Sequence, residues 1–132
     1  MEALKKPARM EHLEEMLAFV STRAREKGMG EKRILEVELA LEESLVNIIH
    51  YAYPEKDGTV EIRCVPSGEG KLLIEIRDQG IPFDIFSMSA PDLDAAVEER
   101  AVGGLGIYLI RQLTRAAEYR REGRTNVLSL LF

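Results

Sequence analysis

A single cysteine, Cys64, leaves no partner for an intramolecular disulfide. It lies in a strand-like run, residues 60–65, where a buried structural thiol is expected. No apolar run approaches the roughly 18 residues that cross a bilayer. The first residues, Met1-Glu2-Ala3-Leu4-Lys5-Lys6, lack the apolar stretch of a signal peptide. A cytoplasmic protein with no membrane partner is therefore expected. Basic excess is missing too: 18 Lys and Arg stand against 23 Asp and Glu, a net charge of −5. Nucleic-acid binders carry a basic face, so a nucleic-acid partner is not expected. There is no internal repeat, no low-complexity tract and no linker. What remains is a chain of 132 residues, 45% hydrophobic and 31% charged, which is a globular balance. A chain of this size buries about two thirds of its unfolded surface. Residues 1–132 are expected to form one domain.

Periodicity sets the expected elements. Residues 3–7 suggest a short edge strand closed by Pro7. Met10, Leu13, Met16, Leu17, Val20 and Ala24 recur at helical spacing over residues 8–27, and Gly28-Met29-Gly30 ends that helix. A second helix is expected over residues 31–51. Strands at 59–65 and 71–77 read as an antiparallel hairpin. Residues 78–104 are irregular, with one short helix expected near 92–100. Long irregular loops of this kind are usually functional lids or disordered. A third helix begins near residues 104–106 and runs to about 114, before strands at 117–121 and 126–131. The order (β)ααββ-loop-αββ lacks the strict alternation of a doubly wound sheet. It predicts an α+β, two-layer α/β sandwich: a mixed, mostly antiparallel sheet with about three helices on one face.

Three places could carry chemistry. On the second helix, Ile34, Val37, Leu41, Leu45 and Ile48 share one face, and Glu36, Ala40, Glu43, Asn47 and His50 form a narrow stripe opposite. Leu39 and Val46 flank that stripe, which suits a helix packed on both sides. Glu43 and Asn47 are four apart and hence neighbours. An Asn carbonyl is a hard oxygen ligand for Mg²⁺, and a carboxylate one turn away can orient a hydroxyl for attack on phosphate; a solvated surface pair has the same spacing. Next, Asp78-Gln79-Gly80-Ile81-Pro82-Phe83-Asp84 follows a strand. Its aspartate can accept from an exocyclic amine, and Gly80 lets the backbone turn sharply and leaves room for a flat ring; the same residues also make ordinary turns. Last, Gly103-Gly104-Leu105-Gly106-Ile107 sits at a loop-to-helix junction, where backbone N–H groups favour anions. The dinucleotide fingerprint and the G-x-x-x-x-G-K-[ST] loop are both absent.

Taken together, in this order and spacing, these runs resemble the gyrase, chaperone, histidine-kinase and mismatch-repair ATPase superfamily, the Bergerat ATP-binding fold. They are most similar to its short bacterial branch, the anti-sigma-factor serine/threonine kinases. The residues that carry the resemblance include Leu41-Glu42-Glu43-Ser44-Leu45-Val46-Asn47 with Tyr51-Ala52-Tyr53, the Asp78 and Gly103 runs, and the tail from Glu118-Tyr119 through Asn126-Val127-Leu128. The resemblance implies ATP and Mg²⁺ as cofactors. Asn47 would hold the metal and Glu43 would be the general base. Asp78 would contact the adenine amine with Gly80 beside the ring, and Phe83 belongs to the same nucleotide set. Gly103, Gly104, Leu105 and Gly106 would cradle phosphates, residues 85–102 would form a lid, and Arg100 would reach the terminal phosphate. Implied partners are a sigma factor, a small antagonist (anti-anti-sigma) protein phosphorylated on serine, and a second copy in a homodimer. A nucleotide-gated binding module and a detached histidine-kinase ATPase domain stay open as alternatives. The chain departs from the branch in three ways: His50 precedes Tyr51, where relatives have His; Pro82 replaces a glycine; and Thr114-Arg115-Ala116 fills a stretch often acidic in relatives.

Overall fold

The computed structural model describes residues 1–87 and 104–132. Along these run β1 (Glu2–Pro7), a 3-10 turn (Met10–His12), α1 (Leu13–Glu26), α2 (Glu31–Tyr51), β2 (Thr59–Val65) and β3 (Leu73–Asp78). A second 3-10 turn (Ile85–Ser87), α3 (Gly104–Leu113), β4 (Ala116–Glu122) and β5 (Thr125–Leu131) follow. α1 buries the expected stripe, Leu13, Met16, Val20 and Ala24. It ends in a Schellman motif: Gly28 adopts φ +83, its N–H donates to Arg25 O, and Met29 N–H donates to Ala24 O. The expected helix starts late because Arg9 is extended and His12 lies off helical geometry, which leaves residues 10–12 as a separate turn. The turn at Ile85–Ser87, unexpected from periodicity, forms because Asp84 Oδ1 accepts from Phe86 N–H at 2.9 Å. The helix expected near 92–100 lies outside the described residues.

The sheet order is β1-β2-β3-β5-β4 and every pairing is antiparallel. This corrects the expectation of a mixed sheet. β3 and β4, joined through α3, point the same way, but β5 slots between them and bonds antiparallel to both, so no parallel pair forms. Inward positions alternate along each central strand: Val60, Ile62 and Cys64; Ile74, Ile76 and Asp78; Asn126, Leu128 and Leu130. These cover a core with Met16, Ile34, Leu41 and Leu45 from the helices. Cys64 belongs to that layer, and burial pushes its thiol up to about 11, so it stays protonated and inert.

On the other face the same strands carry charge. Arg77 donates to Glu75 at 3.0 Å and to Glu122 at 2.9 Å, and Arg120 pairs with the same two carboxylates. The four groups form a closed ring over β5, and Val127, paired in register with both arginines, is fully buried between them.

Candidate functional site

The polar stripe of α2 turns out to be the seam with α3, which runs antiparallel beside it. At one end Arg33 donates to Leu113 O at 2.8 Å and pairs with Glu36 at 3.4 Å. At the other, a Cβ on Gly106 would overlap Glu43 Oε2. Of the stripe, Ala40 and Asn47 are buried, Glu36 and Glu43 are half-buried, and His50 is exposed. α1 packs along the other side of α2, where Ser21 donates to Glu38 Oε1 at 2.6 Å. α2 is thus the central helix of three; of its apolar shoulders Val46 is half-buried, while Leu39 is exposed. Burial, then the neighbouring Glu42, pushes the Glu43 carboxyl up from its ordinary value, toward the range of a useful general base.

Asn47 is 3% exposed, and its Nδ2 donates to Glu43 O at 2.8 Å. That bond spends the amide donor on the helix itself. Oδ1 has no partner among the described residues, and an unpaired buried carbonyl oxygen fits a hard cation. Among the described residues no cluster of three or more His, Cys, Asp and Glu side chains could hold a metal by itself. Mg²⁺ would thus divide its shell among Asn47, phosphate and water.

Asp78 ends β3 pointing inward, 3% exposed. Its Oδ1 accepts from Gly80 N–H and from Asn126 Nδ2, both at 2.9 Å; Oδ2 has no partner among the described residues. Burial raises its pKa, opposed by these two bonds and by the Arg121 charge. Gly80 is called for by packing. Its φ is not left-handed; instead a Cβ there would overlap the carbonyl and Cβ of Ala52. The turn is seated on the end of α2, with Ile81 N–H donating to Ala52 O at 2.9 Å. Asp78 and Phe83 line a narrow cleft with Ser44, Ile48, Ala52, Ile85, Tyr119, Asn126 and Leu128. Phe83 packs on Tyr51, ring centroids 5.8 Å apart.

Two groups of expected residues thus come together on one wall of α2. Glu43 meets Gly106 at the seam with α3, with Asn47 bonded to the Glu43 carbonyl; Asp78 and Phe83 line the cleft, and Gly80 is bonded to Asp78 beside it. Gly104 and Leu105 open α3. Gly103, Arg100 and the lid beyond residue 87 lie outside the described residues. Sequence reasoning missed Ser44, Tyr119, Arg121 and Asn126 as site residues. Asn126 was readable, because it shares the inward phase of Leu128 and Leu130 and is the polar member of that alternation.

The cleft's free volume is about 20 Å³, room for one water. A flat purine ring needs more room than this.

Comparisons with known proteins agree with this geometry. The sequence profile of the histidine kinase-like ATPase domain matches residues 6–132. Serine-protein kinase RsbW of Bacillus cereus is 30% identical over 114 residues, spanning 83% of this chain and 71% of the relative; that of Bacillus anthracis is 29% identical over the same spans. Among solved structures, the SiaB–SiaC complex of Pseudomonas aeruginosa superposes with a TM-score of 0.67 at 21% identity, covering 100% of this chain and 89% of that one. A Mycobacterium tuberculosis protein with RsbU and RsbW domains gives 0.63 at 14% identity, covering 99% of this chain and 32% of that one. The profile match spans nearly the whole chain, and the chain belongs to the histidine kinase-like ATPase domain family.

Proposed function

We propose that this chain binds ATP with Mg²⁺ between α2, the Asp78 turn and the start of α3, and transfers the γ-phosphoryl group to a serine of a small antagonist protein. The observation that carries the reading is Asp78: a buried carboxylate lining a mostly apolar cleft, with one oxygen engaged twice and the other without a partner among the described residues. An acceptor so placed suits the exocyclic amine of adenine. Asn47 would hold Mg²⁺, and the ion would supply charge neutralisation on the phosphates. Glu43, its pKa raised and its carboxylate against Gly106 at the start of α3, takes the proton of the incoming serine hydroxyl. The N–H groups that open α3 at Gly104, Leu105 and Gly106 offer donors to phosphate oxygens. Positioning and charge neutralisation do most of the work in such transfers.

The RsbW likeness supports a protein-kinase activity. The same reading places the chain in the cytoplasm as an anti-sigma factor, with a sigma factor and an antagonist as partners, working as a homodimer. Gly103, Arg100 and residues 85–102 would complete the phosphate site and its lid. The test is transfer of radiolabelled γ-phosphate to a candidate antagonist. The reading predicts labelled serine with the native chain, and loss of label but retained nucleotide binding in Glu43→Ala. Binding without transfer in the native chain would leave a nucleotide-gated binding module instead.

A further inference from the structure

Tyr119, Arg121 and Asn126, all on the β4–β5 hairpin, meet behind Asp78, and the mechanism above uses none of them. Asn126 sits opposite Asp78 in register. Its Nδ2 donates to Asp78 Oδ1 at 2.9 Å and to Ile81 O at 2.8 Å. Its Oδ1 accepts from the Tyr119 hydroxyl at 2.5 Å and from Arg121 at 3.0 Å. Three of the four contacts depend on which way the amide faces. Turned over, its NH₂ would meet the donor-only Arg121 guanidinium, and its carbonyl would meet a carboxylate and a carbonyl, so these three would become unfavourable, while the Tyr119 hydroxyl completes the set in the observed orientation. Arg121 also donates to Gly80 O at 2.9 Å. The hairpin therefore holds the turn at Gly80 and Ile81 as well as the carboxylate that opens it.

This arrangement decides what Asp78 shows to a ligand. One oxygen is closed by Asn126 and Gly80; the other has no partner among the described residues. A site built to accept one hydrogen bond rejects a group that cannot donate it, because the buried oxygen is then left unpaired. We propose that Tyr119 and Arg121 are positioning residues for base selection: by fixing the Asn126 amide they hold Asp78 as an acceptor that takes a 6-amino purine and refuses a 6-keto purine. The inference rests on Asp78 being the base contact.

A pH signature follows. Asp78 faces the Arg121 guanidinium from β4, the Asn126 amide from β5, and Tyr53 from the end of α2, whose hydroxyl accepts from Gln79 N–H at 2.8 Å. Arg121 and Asn126 hold its pKa down against burial. Loosening them lets the carboxyl protonate at higher pH, and a protonated Asp78 no longer presents two acceptor oxygens.

The test is calorimetric titration of ATP and of inosine triphosphate, each with Mg²⁺, into the native chain, Tyr119→Phe/Arg121→Gln, and Asp78→Asn. In the double variant ATP affinity should fall about tenfold while inosine triphosphate affinity changes less than about twofold, the size of one or two lost hydrogen bonds. The loss of ATP binding on acidification should also begin at higher pH. A parallel fall for both nucleotides, or an unchanged preference, overturns the proposal. If the double variant does not fold, Tyr119→Phe alone carries the test, with a narrowing of preference of roughly threefold expected and an unchanged preference again overturning it. Asp78→Asn separates the two readings. Unchanged ATP affinity in that variant removes the base contact itself, whereas its loss beside full preference in the double variant removes only the role of Tyr119 and Arg121.

Discussion

Asp78 and Glu43 are carboxyls that the fold holds at a cost, since burial raises both above their ordinary values. A raised folded-state pKa means that the native chain binds the proton more tightly than the unfolded chain. The unfavourable contribution is then complete above the folded pKa and fades as pH falls toward the ordinary carboxylate range. Asp78→Asn should consequently raise the melting temperature of the nucleotide-free chain at pH 7 by roughly 3–5 °C, about 1 kcal/mol, while abolishing ATP binding. The difference from the native chain should shrink as pH is lowered from neutrality through the folded pKa of Asp78. Thermal scans at several pH values check this; a difference that widens on acidification contradicts the assignment. The two contact glycines predict opposite outcomes. Gly80→Ala meets backbone at Ala52 and should destabilise by about 1–3 kcal/mol. Gly106→Ala meets the free end of Glu43, which can swing away, so the fold should survive while phosphoryl transfer falls at least about tenfold through a misplaced base. Denaturant unfolding and a transfer assay on both variants would separate these effects. At this scale the residue types were legible, because Asp78 and Asn126 interrupt apolar alternations. Their mutual hydrogen bond was not, since it depends on which strands become neighbours.

At the scale of elements, α2 explains most of the site. Its amphipathic period placed Ile34 to Ile48 on the sheet, and the stripe from Glu36 to Asn47 lies in the seam with α3, with only His50 left exposed at its end. A pocket-facing stripe and a solvated stripe have the same sequence period, so only packing on both sides of α2 decides between them. Arg33 sets the far end of that seam: it caps the last turn of α3 at Leu113 O and lies over the Phe132 ring, 5.4 Å from its centroid. Arg33→Ala should cost about 1–2 kcal/mol, the sum of a charged hydrogen bond at a helix C-terminus and a cation–π contact. Amide hydrogen exchange should then rise selectively in α3. Uniform exchange across α2 and α3 would argue that Arg33 does not hold this seam. The strand boundaries followed from alternation to within two residues, β3 starting at Leu73 rather than at 71. The 3-10 turn at Ile85–Ser87 did not, because it depends on the Asp84 side chain and carries no period of its own.

For the molecule as a whole, the two-layer arrangement was legible from the order of elements, and the sheet order was not. Insertion of β5 between β3 and β4 is a long-range choice that no local pattern encodes, and it is this insertion that brings Asn126 to Asp78. The ring of Glu75, Arg77, Arg120 and Glu122 matches two arginines with two glutamates on the open face of the sheet. Among the described residues no helix is long and apolar enough to cross a membrane. Nucleotide bound only by the folded state stabilises it by mass action, about 2.7 kcal/mol at a hundredfold excess over Kd. Asn47→Ala should keep the metal-independent part of that gain and lose the part that Mg²⁺ adds, as read by melting curves with ATP in magnesium and in EDTA.

The most direct measurement is a calorimetric titration of ATP with magnesium into the native chain beside Asp78→Asn. A cleft built around an unpartnered buried acceptor predicts a saturable heat at one ATP per chain in the native protein and its disappearance in the variant. No heat at millimolar ATP, or an unchanged isotherm in Asp78→Asn, would contradict it.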